Sequence, residues 1–523
     1  MGCCLIRDVP LGDADGVGVA STPLAEHFRT DHLLHNLGKR AVSGGFVMGG
    51  AQAAKFAVNF AAAAVLARLL TPKEFGLVGM VLGVTSLMGL FKDLGLSTAT
   101  VQRETITQEQ VSNLFWINIA LSGVLAVASI GLAPLLAWFY RDPHVTRIML
   151  ALSLTFVLTG STVQHQALLT RQMRFRALAV IDVTSMVLGF ATACSLAWFG
   201  FAYWALVAQQ LCMAAANLVL TWRTSRWRPS MPKRNSGLRS MLSFGAHLTV
   251  ADLVGQLAIA ADSIVVGRFF GAEKLGLYSR ANVLLARPLQ QVLGPLEAVL
   301  VPVLSRLDSD PQRYRRTFMR AYDILALITF PFAAMCLVLA KPLVLFVLGP
   351  KWTGVIPLFS AFTLVAVSLP MSFVPSWLFV SQGRGRGQLH AYTIAGSVTV
   401  GSYLAGLPWG PLGVVLSLAI VSLVIRLPIL FYCAGRSGPV STWDLWNGFL
   451  SNLPCWGAVY LTTLLARMMV PDAAPFVQLA VCGPLGLGAG LAVILMFGRP
   501  RQSASYAWNT VRNSLVQQWG NAA

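Results

Sequence analysis

Charged residues are scarce in this chain of 523 residues: they make up 11% of the positions, whereas hydrophobic residues make up 56%. Such a composition excludes an ordinary soluble domain, in which about a quarter of the residues are charged. It predicts an all-α polytopic membrane protein, because continuous apolar stretches such as 120–138 favour helices over the short alternating strands of a barrel.

Long polar segments are also few, so the sequence leaves no room for a separate soluble domain. We predict about 14 transmembrane helices of roughly 20 residues. They begin near Ser43, Phe75, Leu114, Val145, Ala177, Tyr203, Met241, Glu273, Met319, Trp352, Gln388, Pro411, Leu450 and Pro475.

Acidic residues are half as frequent as basic ones, which gives a net charge of +19. With a cytoplasmic N-terminus, about 25 Lys and Arg fall on the inner side and about 9 on the outer side. This distribution places both termini in the cytoplasm and indicates membrane lipids, not nucleic acid, as partners of the basic loops.

Signatures of catalysis and metal binding are missing. The eight cysteines lack metal-ligand spacing, and no outer loop carries a nucleophile constellation or an acidic cluster. The stretch Gly383–Gly387 lacks the strand and the Gly-Lys-Ser of a nucleotide-binding loop. We therefore expect no enzyme activity, no metal and no cofactor, although a membrane-embedded polysaccharide polymerase or ligase stays open as an alternative from another class.

An internal repeat is present. Val65–Leu77 and Val265–Leu277 each join the end of one apolar span, a short turn and the start of another, and Arg68 and Gly76 match Arg268 and Gly276. Six spans separate the copies, so both enter the membrane from the same side. Parallel repeats of this kind place a transport route between two lobes near the bilayer centre.

The repeat predicts the domain organisation. Two lobes of six helices each are expected, with a basic linker between them and a pair of additional helices at the C-terminal end. The boundaries are a cytoplasmic tail at 1–42, the first lobe at 43–222, the linker at 223–240, the second lobe at 241–436, helices 13 and 14 at 437–499, and a second cytoplasmic tail at 500–523.

Several stretches carry a family resemblance, among them Ala67–Val78, Asp93–Leu96, Ile264–Ala281 and Gly349–Trp352. Over roughly 38–435 the chain resembles the Wzx-type polysaccharide flippases, most closely the WzxC-like branch of the MATE-like superfamily. The resemblance implies a V-shaped fold and alternating access. It also implies export of undecaprenyl-diphosphate-linked oligosaccharide repeats across the bacterial inner membrane, with polysaccharide polymerase and chain-length or export proteins as partners.

Ionisable residues inside the membrane point to the transport route, because each costs about 3 kcal/mol at the centre of an inserting helix. In the first span, Gln52, Lys55 and Asn59 share one face. In the seventh span, Asp252 and Gln256 lie one turn apart. Asp252 aligns with Gln52 in the repeat, so we predict that the polar faces of the first and seventh spans face each other across the cleft.

The eighth span adds a stripe of Arg280, Arg287 and Gln291. Its repeat partners Met80, Leu87 and Phe91 are apolar, so the architecture alone does not require it. We predict that all eight residues bind substrate, with cations for a diphosphate and amides for sugar hydroxyls. Two alternatives remain open: Arg280 reaching to the outer interface, and Arg287 paired with Asp252 or Glu297.

Three further interpretations concern acidic and basic residues. Asp252 and Asp262 are candidates for binding a coupling proton or sodium ion. Asp182 is expected to pair with Arg174 or Arg176, and Arg68 and Arg268 to complement helix dipoles at the outer surface. The alternative function within the superfamily is a cation-coupled exporter of drugs or metabolites.

Overall fold

The computed structural model is built of α-helices with short 3₁₀ and π segments and contains no strand in the residues that it describes. These are residues 37–103, 106–232, 239–471 and 473–496. Side chains are described for all of them except those of residues 37–48, 239–255, 258–259, 292, 295 and 494–496. Most of the predicted tails, and the basic residues Lys233 and Arg234, therefore lie outside the description.

Eight helices form the first half of the chain. They are α1 (Leu37–Leu69), α2 (Pro72–Gly89), α3 (Leu96–Gln102), α4 (Gln108–Tyr140), α5 (His144–Gly160), α6 (Val163–Arg171), α7 (Phe175–Trp198) and α8 (Trp204–Ser225).

The second half begins with a 68-residue helical run. Its helices are α9 (Arg239–Arg306), α10 (Pro311–Val338), α11 (Ala340–Val347), α12 (Val355–Ser381), α13 (Gly385–Gly406), α14 (Gly410–Val421), α15 (Leu427–Gly435), α16 (Thr442–Met469) and α17 (Pro475–Met496).

Eleven helical segments in the described part of the chain are long and apolar enough to cross a membrane. The run α9 adds two more helices, because Gly271 has a φ of 78° and interrupts it there. The segment 385–435 likewise changes direction at Gly410, where φ is 75°. The helices are therefore compatible with the predicted number of about 14 spans.

Side-chain caps fix where several helices begin. Thr71 and Glu74 form a capping box around Pro72, in which the Thr71 amide donates to Glu74 Oε2 at 2.6 Å. Thr107 and Ser441 start α4 and α16 in the same manner. Such caps satisfy amides that would otherwise lie unpaired at the ends of the helices.

The duplicated turns pack against each other. An ideal Cβ at Gly76 would lie 1.6 Å from the carbonyl oxygen of Ala272, and one at Gly276 would lie 1.8 Å from that of Pro72. Gly76 of the first copy contacts Ala272 of the second, and Gly276 of the second contacts the equivalent Pro72 of the first. Such reciprocal contacts are expected of a two-fold relation. Only glycine allows the two backbones to approach so closely.

More contacts between the halves surround this crossing, at the end of the bundle that we call the turn end. Trp352 Nε1 donates to the carbonyl of Ala67 at 2.6 Å, and an Arg68 Nη donates to that of Phe346 at 2.8 Å. The guanidinium of Arg268 lies 5.4 Å from the ring centre of Phe139. The acceptor for Arg68 is thus in the last turn of α11, so Arg68 lies at the C-terminal end of a second helix besides its own.

Candidate functional site

A cavity of about 560 Å³ lies between the two halves, next to the turn end. It is lined by α1, α2, α7 and α8 of the first half and by the α9 segment after Gly271, and we call it the central cavity. Six of the eight residues predicted to bind substrate line it: Gln52, Lys55, Asn59, Arg280, Arg287 and Gln291. Helical spacing explains this convergence, because residues three, four or seven apart share one face.

Arg280 is held against an aromatic ring of the first half. Its guanidinium carbon lies 4.1 Å from the ring centre of Phe75, a cation–π distance. Its Nε is buried and has no hydrogen-bond partner among the described residues. The side chain is therefore held inside the protein against the first half and does not extend to the outer interface.

Arg287 points into the central cavity and has an exposed side chain. Within the described part of the structure it forms no ion pair, so the alternative pairing with Glu297 is not formed there. The side chain of Asp252, the other alternative partner, lies outside the described residues. Arg287 thus offers its charge to whatever occupies the cavity.

Lys55 forms an ion pair with Asp182 on α7. The expected pairing of Asp182 with Arg174 or Arg176 is wrong: Arg174 instead donates to the carbonyl of Thr224 at 3.2 Å. The reason is the packing of α1 against α7, which sequence spacing does not reveal. Lys55 is therefore a cation that already has a counter-charge at the edge of the cavity.

The remaining predicted residues do not join this group. Gln256 is exposed and does not line the central cavity. Asp262 is buried away from it and accepts hydrogen bonds from Ser263 Oγ at 2.9 Å and Tyr278 Oη at 3.2 Å. The predicted contact between the faces of Gln52 and Asp252 falls outside the described side chains.

Sequence reasoning missed three contributors to the central cavity, namely Phe75, Gln209 and Gln210. The adjacent amides Gln209 and Gln210 within an apolar span were a visible signal, because polar residues inside a membrane helix are costly. Phe75 gave no such signal, since its role depends on the reciprocal packing that brings α2 against Arg280.

Comparison with known proteins identifies the family. The model of the family described as "Polysaccharide biosynthesis protein" matches residues 65–357, more than half of the chain. The chain belongs to this family. The match contains both copies of the repeat and the cavity-lining parts of α2, α7, α8 and α9, whereas most of α1 precedes it.

Characterised relatives have related names. The teichuronic acid biosynthesis protein TuaB of Bacillus subtilis is 27% identical over 61% of this chain and 67% of its own length. The lipopolysaccharide biosynthesis protein WzxC of Escherichia coli is 24% identical over 75% of this chain and 81% of its own length. The predicted WzxC-like resemblance is thereby confirmed.

The fold is that of a solved transporter. The structure titled "Lipid II flippase MurJ, inward closed conformation" superposes with a TM-score of 0.70 at 14% sequence identity, over 88% of this chain and 99% of the other. The predicted all-helical polytopic fold is confirmed. The chain is thus a multi-pass membrane protein of a polysaccharide biosynthesis family, with the fold of that solved structure.

Proposed function

We propose that this protein translocates undecaprenyl-diphosphate-linked oligosaccharide repeat units across the bacterial inner membrane for exopolysaccharide, capsule or O-antigen synthesis. The central cavity is the observation that carries the proposal. It gathers Arg280, Arg287 and Lys55 together with five amide side chains. The relatives named for polysaccharide and lipopolysaccharide biosynthesis support the same cargo.

The chemistry of the cavity fits a lipid diphosphate. Guanidinium groups stay charged even when partly desolvated, and their planar donors match phosphate oxygens. Amides exchange hydrogen bonds with hydroxyl groups as donors and as acceptors. A cationic drug would favour acids in this place, whereas Asp182 is the one carboxylate at the edge of the described cavity and Lys55 neutralises it.

The mechanism that we propose is alternating access. With both termini in the cytoplasm, the turn end faces outward, and its reciprocal glycine contact closes the outer exit. Rocking of the two halves would break that contact and expose the central cavity to the outside. The polar headgroup crosses in the cavity while the lipid tail stays in hydrocarbon.

Energy coupling and partners complete the proposal. A proton or sodium ion is the proposed coupling ion, with Asp262 and Asp252 as candidate sites, and no other cofactor is required. The protein would work beside a polymerase and chain-length or export proteins that use the flipped repeat.

Deletion of the gene in its own host tests the function. Surface polysaccharide and cell-associated undecaprenyl-linked oligosaccharide are both quantified. We expect loss of the polymer and accumulation of complete lipid-linked repeats on the cytoplasmic face. Repeats accumulating on the outer face would indicate a polymerase instead, and unchanged polymer with new sensitivity to small toxic compounds would indicate a drug exporter.

A further inference from the structure

The first half of the protein contains a second cavity, of about 520 Å³, which we call the first-half cavity. It lies among α1, α2, α5, α6, α7 and α8 and is distinct from the space between the halves. The two cavities share part of their walls, at Lys55, Leu82, Met186 and Gln210. A ligand anchored in one can therefore extend into the other past Lys55.

Hydroxyl groups are the largest class in the polar lining of the first-half cavity, which also contains the charged side chains of Lys55, Lys92 and Asp182. The hydroxyl groups belong to Thr85, Ser86, Thr155, Thr159, Thr162 and Ser185. Each donates its proton to a carbonyl three or four residues earlier in the chain; Thr155 donates to Leu152 at 2.5 Å and Thr159 to Thr155 at 2.7 Å. With the protons used in this way, the oxygen lone pairs remain as acceptors for a ligand.

Amide side chains supply the complementary donors. Gln166 Nε2 donates to Asn217 Oδ1 at 2.9 Å, which leaves the Asn217 amide group free to donate. Gln210 forms no side-chain hydrogen bond with the described residues and lies on the shared wall. Acceptors and donors spread over several helix turns match a polyhydroxylated ligand, whose hydroxyl groups need both.

The described part of the second half is packed differently. Most of its largest fully buried side chains are aromatic, among them Tyr314, Phe330, Phe359 and Trp377. Because the halves are repeats of one architecture, the fold does not require the hollow in the first half. A hollow kept open by hydroxyl and amide groups indicates binding rather than loose packing.

A bound cation explains the cavity less well. A desolvated ion needs several oxygen ligands that converge within about 2.5 Å, whereas these hydroxyls are spread from Thr85 through Thr155 to Thr162 on different turns and helices. No group of three or more His, Cys, Asp or Glu side chains that could hold a metal occurs in the described residues. The volume lies within the range of about 300–1,000 Å³ of small-molecule sites.

We propose that the first-half cavity is the saccharide subsite: it receives the sugar units of the cargo while Arg280, Arg287 and Lys55 hold the diphosphate. The inference rests on the proposed function and adds to it a separate place where the glycan is recognised. Lys55 lies at the boundary, where the diphosphate joins the first sugar.

Binding measurements on the purified full-length protein test the subsite. Two probes are compared: undecaprenyl diphosphate without sugar, and the lipid-linked repeat extracted from the deletion strain. The test variant is Thr155→Val/Thr159→Val, which removes two acceptors at nearly constant volume. Ser86→Ala is a second, smaller variant should the double variant fold poorly. The control is Thr192→Val, whose hydroxyl also donates within its own helix but lines neither cavity.

We expect wild type and Thr192→Val to bind the repeat-carrying lipid more tightly than the bare lipid. The double variant should lose about tenfold of that preference, the loss expected for two hydrogen bonds, with the affinity for bare lipid unchanged. An unchanged preference would overturn the subsite, as would an altered sodium or pH dependence without loss of preference. If the wild-type protein bound neither lipid, the proposed function itself would fail.

Discussion

Single residues at the central cavity differ in how strongly their surroundings hold them. Lys55 has a counter-charge, Arg280 has an aromatic ring, and Arg287 has neither among the described residues. An unpaired cation contributes most of its electrostatic attraction to an arriving anion, because no competing partner must first be displaced. The three cations should therefore respond differently to substitution.

Arg287→Ala should abolish polysaccharide export while leaving the amount of inserted protein unchanged. The substitution removes the one cation of the proposed diphosphate site that has no described partner, and it breaks no described contact within the protein. Export is measured as surface polymer and insertion by immunoblot of membranes. Arg386→Ala, at an exposed arginine outside the central cavity, is the matched control. Normal export in the Arg287→Ala strain would contradict the assignment of Arg287 to substrate binding.

Lys55→Ala should lower the amount of folded protein, because it leaves the carboxylate of Asp182 without its counter-charge beside the cavity. Adding Asp182→Asn should restore the amount, since the replacement amide carries no charge. Export should stay low in the double variant, because the cation is still missing. The readouts are the yield of monodisperse protein and surface polymer. Full export in the double variant would show that Lys55 stabilises the fold by pairing with Asp182 and does not bind substrate.

The positions of the helices were largely predictable from the sequence, whereas the helices that each one packs against were not. The start of the eighth span near Glu273 agrees with the break at Gly271, because turn residues and apolar length are local signals. The polar stripes of α1 and α9 were visible for the same reason. The Lys55–Asp182 pair and the stacking of Arg280 on Phe75 depend on which helices become neighbours, and spacing along one helix does not contain that information.

The crossing of α2 and α9 yields a prediction about elements. Gly76→Ala or Gly276→Ala should prevent closure of the turn end, since a Cβ would overlap backbone atoms at 1.6 or 1.8 Å. A Ser279→Cys reporter lining the central cavity, in a background without other reactive cysteines, should then react faster with a membrane-impermeant thiol reagent applied outside. Gly131→Ala, with open space around its Cβ position, is the control. Equal labelling in all variants would contradict the closure.

At the scale of the whole molecule, the described interiors of the two repeats differ. Both provide a turn at the turn end, yet the first half contains a polar cavity while the described part of the second half is packed with aromatic rings. Under the proposed function, the first half holds substrate and the two halves rock against each other about the cavity between them. The sequence showed the duplication through Arg68 and Arg268, but the divergence of the interiors appears only when the helices are assembled.

If transport requires the halves to separate at the turn end, a link across it should stop export. Lys351 Nζ lies 3.3 Å from the carbonyl oxygen of Arg68, so Arg68→Cys with Lys351→Cys places two thiols on opposite halves. A reducible bifunctional thiol reagent should block export, and reduction should restore it. The control pair, Trp116→Cys with Ser230→Cys, links α4 to residues of the same half, where Trp116 Nε1 donates to the carbonyl of Ser230 at 2.9 Å. Export that continues with the first pair fully linked would contradict rocking of the halves, because the closed turn end leaves the headgroup no outward exit.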